Sequence, residues 1–424
     1  MRLRVLSLAL LLAACGAPRE VPLPGERLAL REAAERAVPA RGISLPAAQA
    51  NADWTHRGGG PDHALTHPAL PGALALAFST PVGEGDSRRA RITAEPVVAG
   101  GRVFTLDARA TVAAVSTGGE LLWTREVVPV ADARADASGG GLATDGATLY
   151  VSTGFGRVTA LDAATGEERW TQDLDAPGSS APTVQGGTVF VVSRDSRAWA
   201  LDADTGRVRW ELGGVPSTAT SAGGAGVAAR DGLVVLPFPS GEVIGAFPDG
   251  GLRRWVSLVA GGRLGSAAAY AATDIGGDPV LAGGTAYVGN VSGRLAALDA
   301  ESGATLWSVA EGAVSPVVPV ADSVFLVNDV GDLLRLDAAT GATVWRVALP
   351  REERRRGVTA HVGPVLAGGR LIVASSDGLL RQFDPASGAP LGDVALPAGA
   401  ASAPVVAGGA LYVLTEDGRL NAFR

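Results

Sequence analysis

From residue 94 onward the chain is written in short apolar runs broken by pairs or trios of turn-forming residues. The stretch Pro279 to Trp307 shows the unit: Val280 to Ala282, Ala286 to Val288, Leu295 to Leu298 and Thr305 to Trp307 are each of strand length. Gly283-Gly284 supplies the positive φ of a tight hairpin, and Ser292-Gly293 marks the next turn. Asp299 to Gly303 forms the third, where the Asp carboxylate can accept local backbone N–H bonds. Four runs and three turns predict a four-stranded antiparallel meander.

The meander recurs. Its third run ends at Val115-Ser116, Leu161-Asp162, Leu201-Asp202, Phe247-Pro248, Leu298-Asp299, Leu336-Asp337, Phe383-Asp384 and Phe423-Arg424, at spacings of 38 to 51 residues. Eight copies of about four strands at that period predict an all-β fold, an eight-bladed β-propeller of four-stranded blades. A tryptophan opens the fourth run in six copies, at Trp123, Trp170, Trp210, Trp255, Trp307 and Trp345, with Gly392 in the seventh. Each large ring is expected to fill the wedge between neighbouring blades. The eighth copy stops after three runs at Arg424, so its outer strand must come from elsewhere. Leu74 to Ser79 is the candidate, closing the ring and covering the exposed edge.

Ahead of the repeats, Met1-Arg-Leu-Arg is a basic start, Val5 to Leu12 an apolar run too short to span a bilayer, and Leu12-Ala-Ala-Cys15 a small-residue cleavage site ending in a thiol. The reading is a lipoprotein signal over 1–14, with Cys15 the acylated first residue of the mature protein. By the same resemblance to bacterial lipoproteins, Gly16 after the Cys favours the outer membrane. Residues 15–50 are rich in Ala, Pro, Arg and Glu and read as the lipidated Cys and a flexible tether, leaving 51–424 for the propeller.

Composition narrows the chemistry. The 58 glycines fit a turn-rich β protein, and all 36 basic residues are arginine, which excludes lysine Schiff bases and the P-loop lysine. A net charge of -7 argues against nucleic acid as a partner, and contact with the membrane is expected through the lipid anchor only. The one cysteine allows no internal disulfide.

The Leu-Asp-Ala-x-Thr/Ser-Gly-x-x-x-Trp pattern of Leu161 to Trp170, Leu201 to Trp210, Leu298 to Trp307 and Leu336 to Trp345 resembles the repeat of quinoprotein propellers, some of which bind pyrroloquinoline quinone. The lipobox, the chain length and the eight blades make the whole similar to the BamB family, lipoproteins of the outer-membrane β-barrel assembly machinery. Trp54-Thr-His-Arg-Gly-Gly59 followed by His63 resembles that family's lead-in to the first blade. The all-β surface alone suggests that blade edges are presented to unfolded barrel proteins by strand addition. The resemblance implies a non-catalytic scaffold without cofactor or metal, which binds the periplasmic POTRA domains of BamA and assists outer-membrane protein folding and insertion. It places the partner contact in the connectors after Trp210 and after Trp255. The corresponding residues here are Pro216, Ser217 and Thr218 in the first, and Asp274, Ile275 and Asp278 in the second. The match is partial: aligned on Pro279, the family's second Asp falls on Gly276, and the first connector has neither the family's leucines nor its arginine.

Two other classes fit the repeat less well. A quinone-dependent dehydrogenase would carry an adjacent-Cys disulfide and a calcium site, and the second Cys is missing. A glycan- or peptidoglycan-binding propeller module is the other. His56, His63 and His67 lie in an irregular stretch without a Cys or carboxylate at ligand spacing, His361 stands alone beside a turn, and Gly223-Gly-Ala-Gly226 resembles a phosphate loop in composition only. The run Arg351 to Arg356 between blades six and seven reads as a solvated charge cluster.

Overall fold

A computed structural model describes residues 42–64, 67–135, 139–178, 180–217, 223–263, 274–354 and 357–424. The expected signal peptide, Cys15, most of the expected tether and Thr218 lie outside them. The described residues form strands and turns with no helix, in eight four-stranded antiparallel sheets and one small hairpin.

Blade one runs from Val97–Ala99 to Leu121–Glu126, blade two from Gly140–Thr144 to Glu168–Asp173, blade three from Thr183–Gln185 to Val208–Gly213 and blade four from Ala228–Arg230 to Arg253–Leu258. Blade five spans Ile275–Ala282 to Thr305–Val309, blade six Val318–Val320 to Thr343–Ala348, and blade seven His361–Ala367 to Pro390–Ala395. In all seven the sheet order follows the chain, as a meander must. Blade eight takes Val405–Ala407, Ala410–Thr415 and Arg419–Phe423 from the end of the chain and Leu76–Pro81 from its start. The closing strand is thus the expected one, displaced toward Pro81. Mutual backbone bonds between Ala75 and Arg424, at 2.8 and 3.0 Å, fix where its pairing begins.

The repeated tryptophans hold the blades together. Trp170 of blade two donates its indole N–H to the Ala203 carbonyl in the last turn of blade three at 2.9 Å. Trp210, Trp255, Trp307 and Trp345 do the same to Pro248, Ala300, Ala338 and Pro385 of the blades that follow. Each ring lies against the glycine of that turn. A Cβ on Gly206 would sit 2.5 Å from Trp170 Cε3, and Gly166 stands in the same relation to Trp123. These glycines have φ near +72°, so their identity is required twice, by backbone and by ring. The turn itself is tied by its Asp: Asp202 Oδ1 accepts the N–H and hydroxyl of Thr205 at 2.9 and 2.8 Å, and Asp162, Asp299, Asp337 and Asp384 repeat the pattern.

Ring closure reuses this joint. Phe78 of the closing strand packs against Gly119 of blade one and 6.4 Å from Tyr412, as Trp170 packs against Gly206 and 5.9 Å from Tyr150. Blade eight has no covalent turn between its third and outer strands, hence no turn glycine to receive a ring from blade seven. Gly392 stands at that position, paired with Gln382 as Trp307 is paired with Ala297.

Candidate partner-binding face

The first strand of every blade is an edge that faces the central channel, and its outward backbone groups need partners. The segment from Asn51 to Pro68 supplies them blade by blade. The Asn51 carbonyl accepts from Gly408 of blade eight, Trp54 pairs in both directions with Val98 of blade one, and the Thr55 carbonyl accepts from Thr144 of blade two. His56 Nε2 accepts the Val184 N–H of blade three at 3.0 Å. Carbonyls of Pro61 and Asp62 accept from Ala229 of blade four and Leu281 of blade five. His63 Nδ1 bonds the Pro279 carbonyl at 2.9 Å, and His67 Nε2 accepts from Gly369 of blade seven at 2.8 Å. Blade six holds the Gly42 carbonyl through Arg335. All three histidines therefore bond backbone on first strands or their turns. Burial drives the His56 pKa down to about 3, so its ring is neutral and able to accept. Among the described residues no three His, Cys, Asp or Glu side chains converge as a metal shell.

Docking begins before residue 51. Ile43 and Leu45 pack against the core between blades six and seven, the Pro46 carbonyl bonds His67, and Gln49 pairs with His67 and Ala69. Residues 42–50 thus belong to the plug, because their apolar side chains find a groove that the tether composition does not reveal.

Arg57 extends from this plug into the channel. Its guanidinium meets Glu95 at 3.2 Å, Asp278 at 3.0 Å and the Val314 carbonyl at 3.4 Å. Burial disfavours its charge, yet Asp278 and Glu95 together hold its pKa above the ordinary value. The space left beside it, among Thr93, Glu95, Gly140, Ala181 and Gly223, is about 10 Å³. That admits at most a water, and a polycyclic quinone does not fit there.

Successive turns of a meander alternate between its two ends. The plug bonds at or near the first-to-second-strand turns, so the inter-blade connectors lie on the opposite face, beside the second-to-third-strand turns. There Gly214 N–H reaches the Ser196 carbonyl, and Val259 N–H the Gly241 carbonyl. Of the six residues expected to meet a partner, Pro216 is exposed and Ser217 half-buried on this face. Asp274, Ile275 and Asp278 are buried, at 4%, 1% and 2% exposure. Ile275 sits in the core between blades four and five. Asp278 joins the two connectors: its Oδ1 accepts the Gly226 N–H at 2.8 Å while also meeting Arg57. Asp278 therefore ties down the far end of the first connector, at Gly226.

Sequence reasoning missed Arg57, which lay unread inside the lead-in motif. It also missed four valines exposed on connectors of this face: Val130, Val215, Val314 and Val358. A charge network braces the same side. Arg263 meets Glu311 at 3.0 Å and Asp329 at 2.8 Å, Arg346 meets Glu311 and Asp332, and Arg351 meets Asp332 at 2.5 Å. Arg351 is thus tied to blade six, and the residues after it form the hairpin Glu353–Arg354 with Gly357–Val358. His361 is held between Ser375 and the Pro350 carbonyl, and Gly226 serves the Asp278 bond.

The family model described as outer membrane protein assembly factor BamB matches residues 108–347 and 331–424. The chain belongs to the BamB family. A curated protein of that name from Alteromonas naphthalenivorans is 30% identical over 246 residues, 55% of this chain and 59% of that protein. The match thus spans less than two thirds of that relative. The crystal structure of BamB from Moraxella catarrhalis aligns at a TM-score of 0.68 and 20% identity, over 83% of this chain and 100% of that one. Quinohemoprotein alcohol dehydrogenase from Comamonas testosteroni aligns at 0.65 and 17%, over 88% and 80%. At such identities both structures share the fold, and the dehydrogenase name carries nothing further.

Proposed function

We propose that this chain is a non-catalytic scaffold of outer-membrane β-barrel assembly, lipid-anchored at Cys15 on the periplasmic side of the outer membrane. It holds the periplasmic POTRA domains of BamA and so assists outer-membrane protein folding and insertion. Family membership supports the role, and one structural observation supports the face: the plug covers the opposite end of the ring, while the connector end carries the exposed Val215, Pro216 and Val314 on a base fixed by Asp278 and Arg57. Half-apolar loops on a braced scaffold suit recognition of a folded domain. Asp274, Ile275 and Asp278 act here by holding the connectors in place.

The test is co-purification. Tagged full-length protein extracted from its own outer membrane in mild detergent should bring BamA with it, and Cys15→Ala, which removes the acylated thiol, should keep the protein out of the outer membrane. Recovery of the intact protein without BamA would reject the role.

A further inference from the structure

Among the described residues every outer strand of the ring is an unpaired sheet edge, and seven of the eight share a polar position. The residue after the docking position is polar in blade one (Thr124), two (Thr171), three (Glu211), five (Ser308), six (Arg346), seven (Asp393) and eight (Ser79). Charges at that place discourage another strand from pairing there, and the hydroxyls offer it no apolar surface. Blade four alone has an apolar residue, Val256, followed two positions later by Leu258. Strand alternation puts both on one side, and the bulge at Arg254 brings Arg253 to that side, since Ala246 pairs with Arg253, Gly245 with Trp255 and Ile244 with Val256. They are 51% and 69% exposed, and Phe247 and Leu252 in the turn that leads into the strand are 42% and 70% exposed. Among the described residues this is the one blade with four exposed large apolar side chains.

Its turn explains the difference. Phe247-Pro-Asp-Gly-Gly-Leu252 replaces the Asp-x-x-Thr-Gly turn, and a concavity of about 490 Å³ opens between blades three and four, with Phe247, Pro248 and Leu252 in its wall. Charge is also one-sided. Arg253 and Arg254 start the outer strand, which contains no acid, and neither forms an ion pair among the described residues. Arg253 reaches the Gly213 carbonyl, and Arg254 lies over the Phe247 ring at 5.0 Å.

We infer that the outer strand Arg253–Leu258 is a docking edge for an extended segment of another polypeptide, added as a fifth antiparallel strand. Apolar side chains of the segment lie on Val256 and Leu258, and carboxylates near its C-terminal end meet Arg253 and Arg254. Unpaired backbone N–H and C=O groups supply the ladder, and the apolar side chains and the two cations supply the selectivity. A second copy of this chain does not match: antiparallel self-pairing about Val256 sets Arg254 opposite Leu258 and gives the arginines no carboxylate.

The probe is a fluorescein-labelled nonapeptide of alternating valine and threonine with two aspartates at its C-terminal end, read by anisotropy against the whole propeller at low salt. Saturable binding is expected. It should weaken at least tenfold with Val256→Lys/Leu258→Lys, and likewise with a twin peptide carrying lysines for aspartates. Thr171→Lys/Asp173→Lys on blade two should leave it unchanged. Because residues 256 and 258 are more than half exposed, the variants should melt with the wild type, which separates loss of the edge from loss of the fold. Absent binding by the native protein, equal binding by the edge variant, or edge-dependent dimers in sedimentation would each overturn the inference.

Discussion

Trp170→Ala tests how the blades adhere. The indole is 9% exposed, packs 5.9 Å from Tyr150, lies against Gly206 and donates to the Ala203 carbonyl. Burying about 150–250 Å² at about 25 cal/mol/Å² bounds its contribution at about 4–6 kcal/mol. Truncation of a buried aromatic costs about 3–5 kcal/mol, so we expect a loss of about 4 kcal/mol. Trp170→Phe keeps a ring against Gly206, and the Ala203 carbonyl retains the Tyr150 hydroxyl at 3.3 Å. Its cost should be about 1 kcal/mol, the scale of one hydrogen bond. Gly206→Ala meets two penalties: φ of +72°, worth about 1–2 kcal/mol, and a Cβ 2.5 Å from the indole. Truncating Trp170 removes only the second. The double variant should therefore be more stable than the sum of the singles by about 1 kcal/mol, whereas independent sites add within about 0.5 kcal/mol. Urea unfolding followed by far-UV circular dichroism measures all four variants against the wild type. Additive losses would refute the joint between ring and glycine.

Other expectations follow from the channel and the turns. Arg57→Met leaves Asp278 and Glu95 buried without their cation and should cost about 3–5 kcal/mol, with part recovered in Arg57→Met/Asp278→Asn. His56 titrates near 3 when folded and near 6.5 when unfolded, so the unfolded chain binds the proton first. Stability should be full above pH 6.5 and fall by up to about 1.4 kcal/mol per pH unit toward pH 3. His56→Gln, which keeps an acceptor for the Val184 N–H, should flatten that part of the urea-midpoint profile. Asp162 and Asp202 are held at about 2, by Arg169 and Thr165 and by Arg209 and Thr205, so their contribution is present above about pH 4 and lost between 4 and 2. Asp162→Asn and Asp202→Asn should shrink the acid-induced fall in that window. Deletion through residue 41 should leave the melting temperature unchanged, whereas deletion through residue 70 should lower it sharply, since residues 42–70 bond or pack against all eight blades.

Periodic features were legible in the sequence. The meanders, the docking tryptophans, the turn aspartates and the strand that closes blade eight each recur or fill a gap in a recurrence. Even Gly392 acquires a reason, for no turn glycine exists on blade eight to meet a tryptophan. The plug was not legible, because each of its residues makes one or two bonds to a different blade, across separations such as the 128 residues between His56 and Val184. Nothing about such contacts repeats. Asp278 reads as a loop acid for the same reason: its partner Arg57 is 221 residues away, and only the folded ring removes both from water. The two connectors expected to carry the partner contact do meet on one face, through the Asp278 bond to Gly226, but exposure of their residues depends on which side chains the channel recruits.

The most direct test of the account is the affinity of the mature, non-acylated protein for the purified periplasmic region of its own organism's BamA. Native protein should bind at micromolar concentration or tighter. Val215→Glu/Val314→Glu on the connector face should weaken binding by about tenfold or more, about 1.4 kcal/mol. Glu301→Arg on the plug face should leave it unchanged. Binding that ignores the connector substitutions and falls with Glu301→Arg would contradict the assigned face, and no binding at all would contradict the assigned partner.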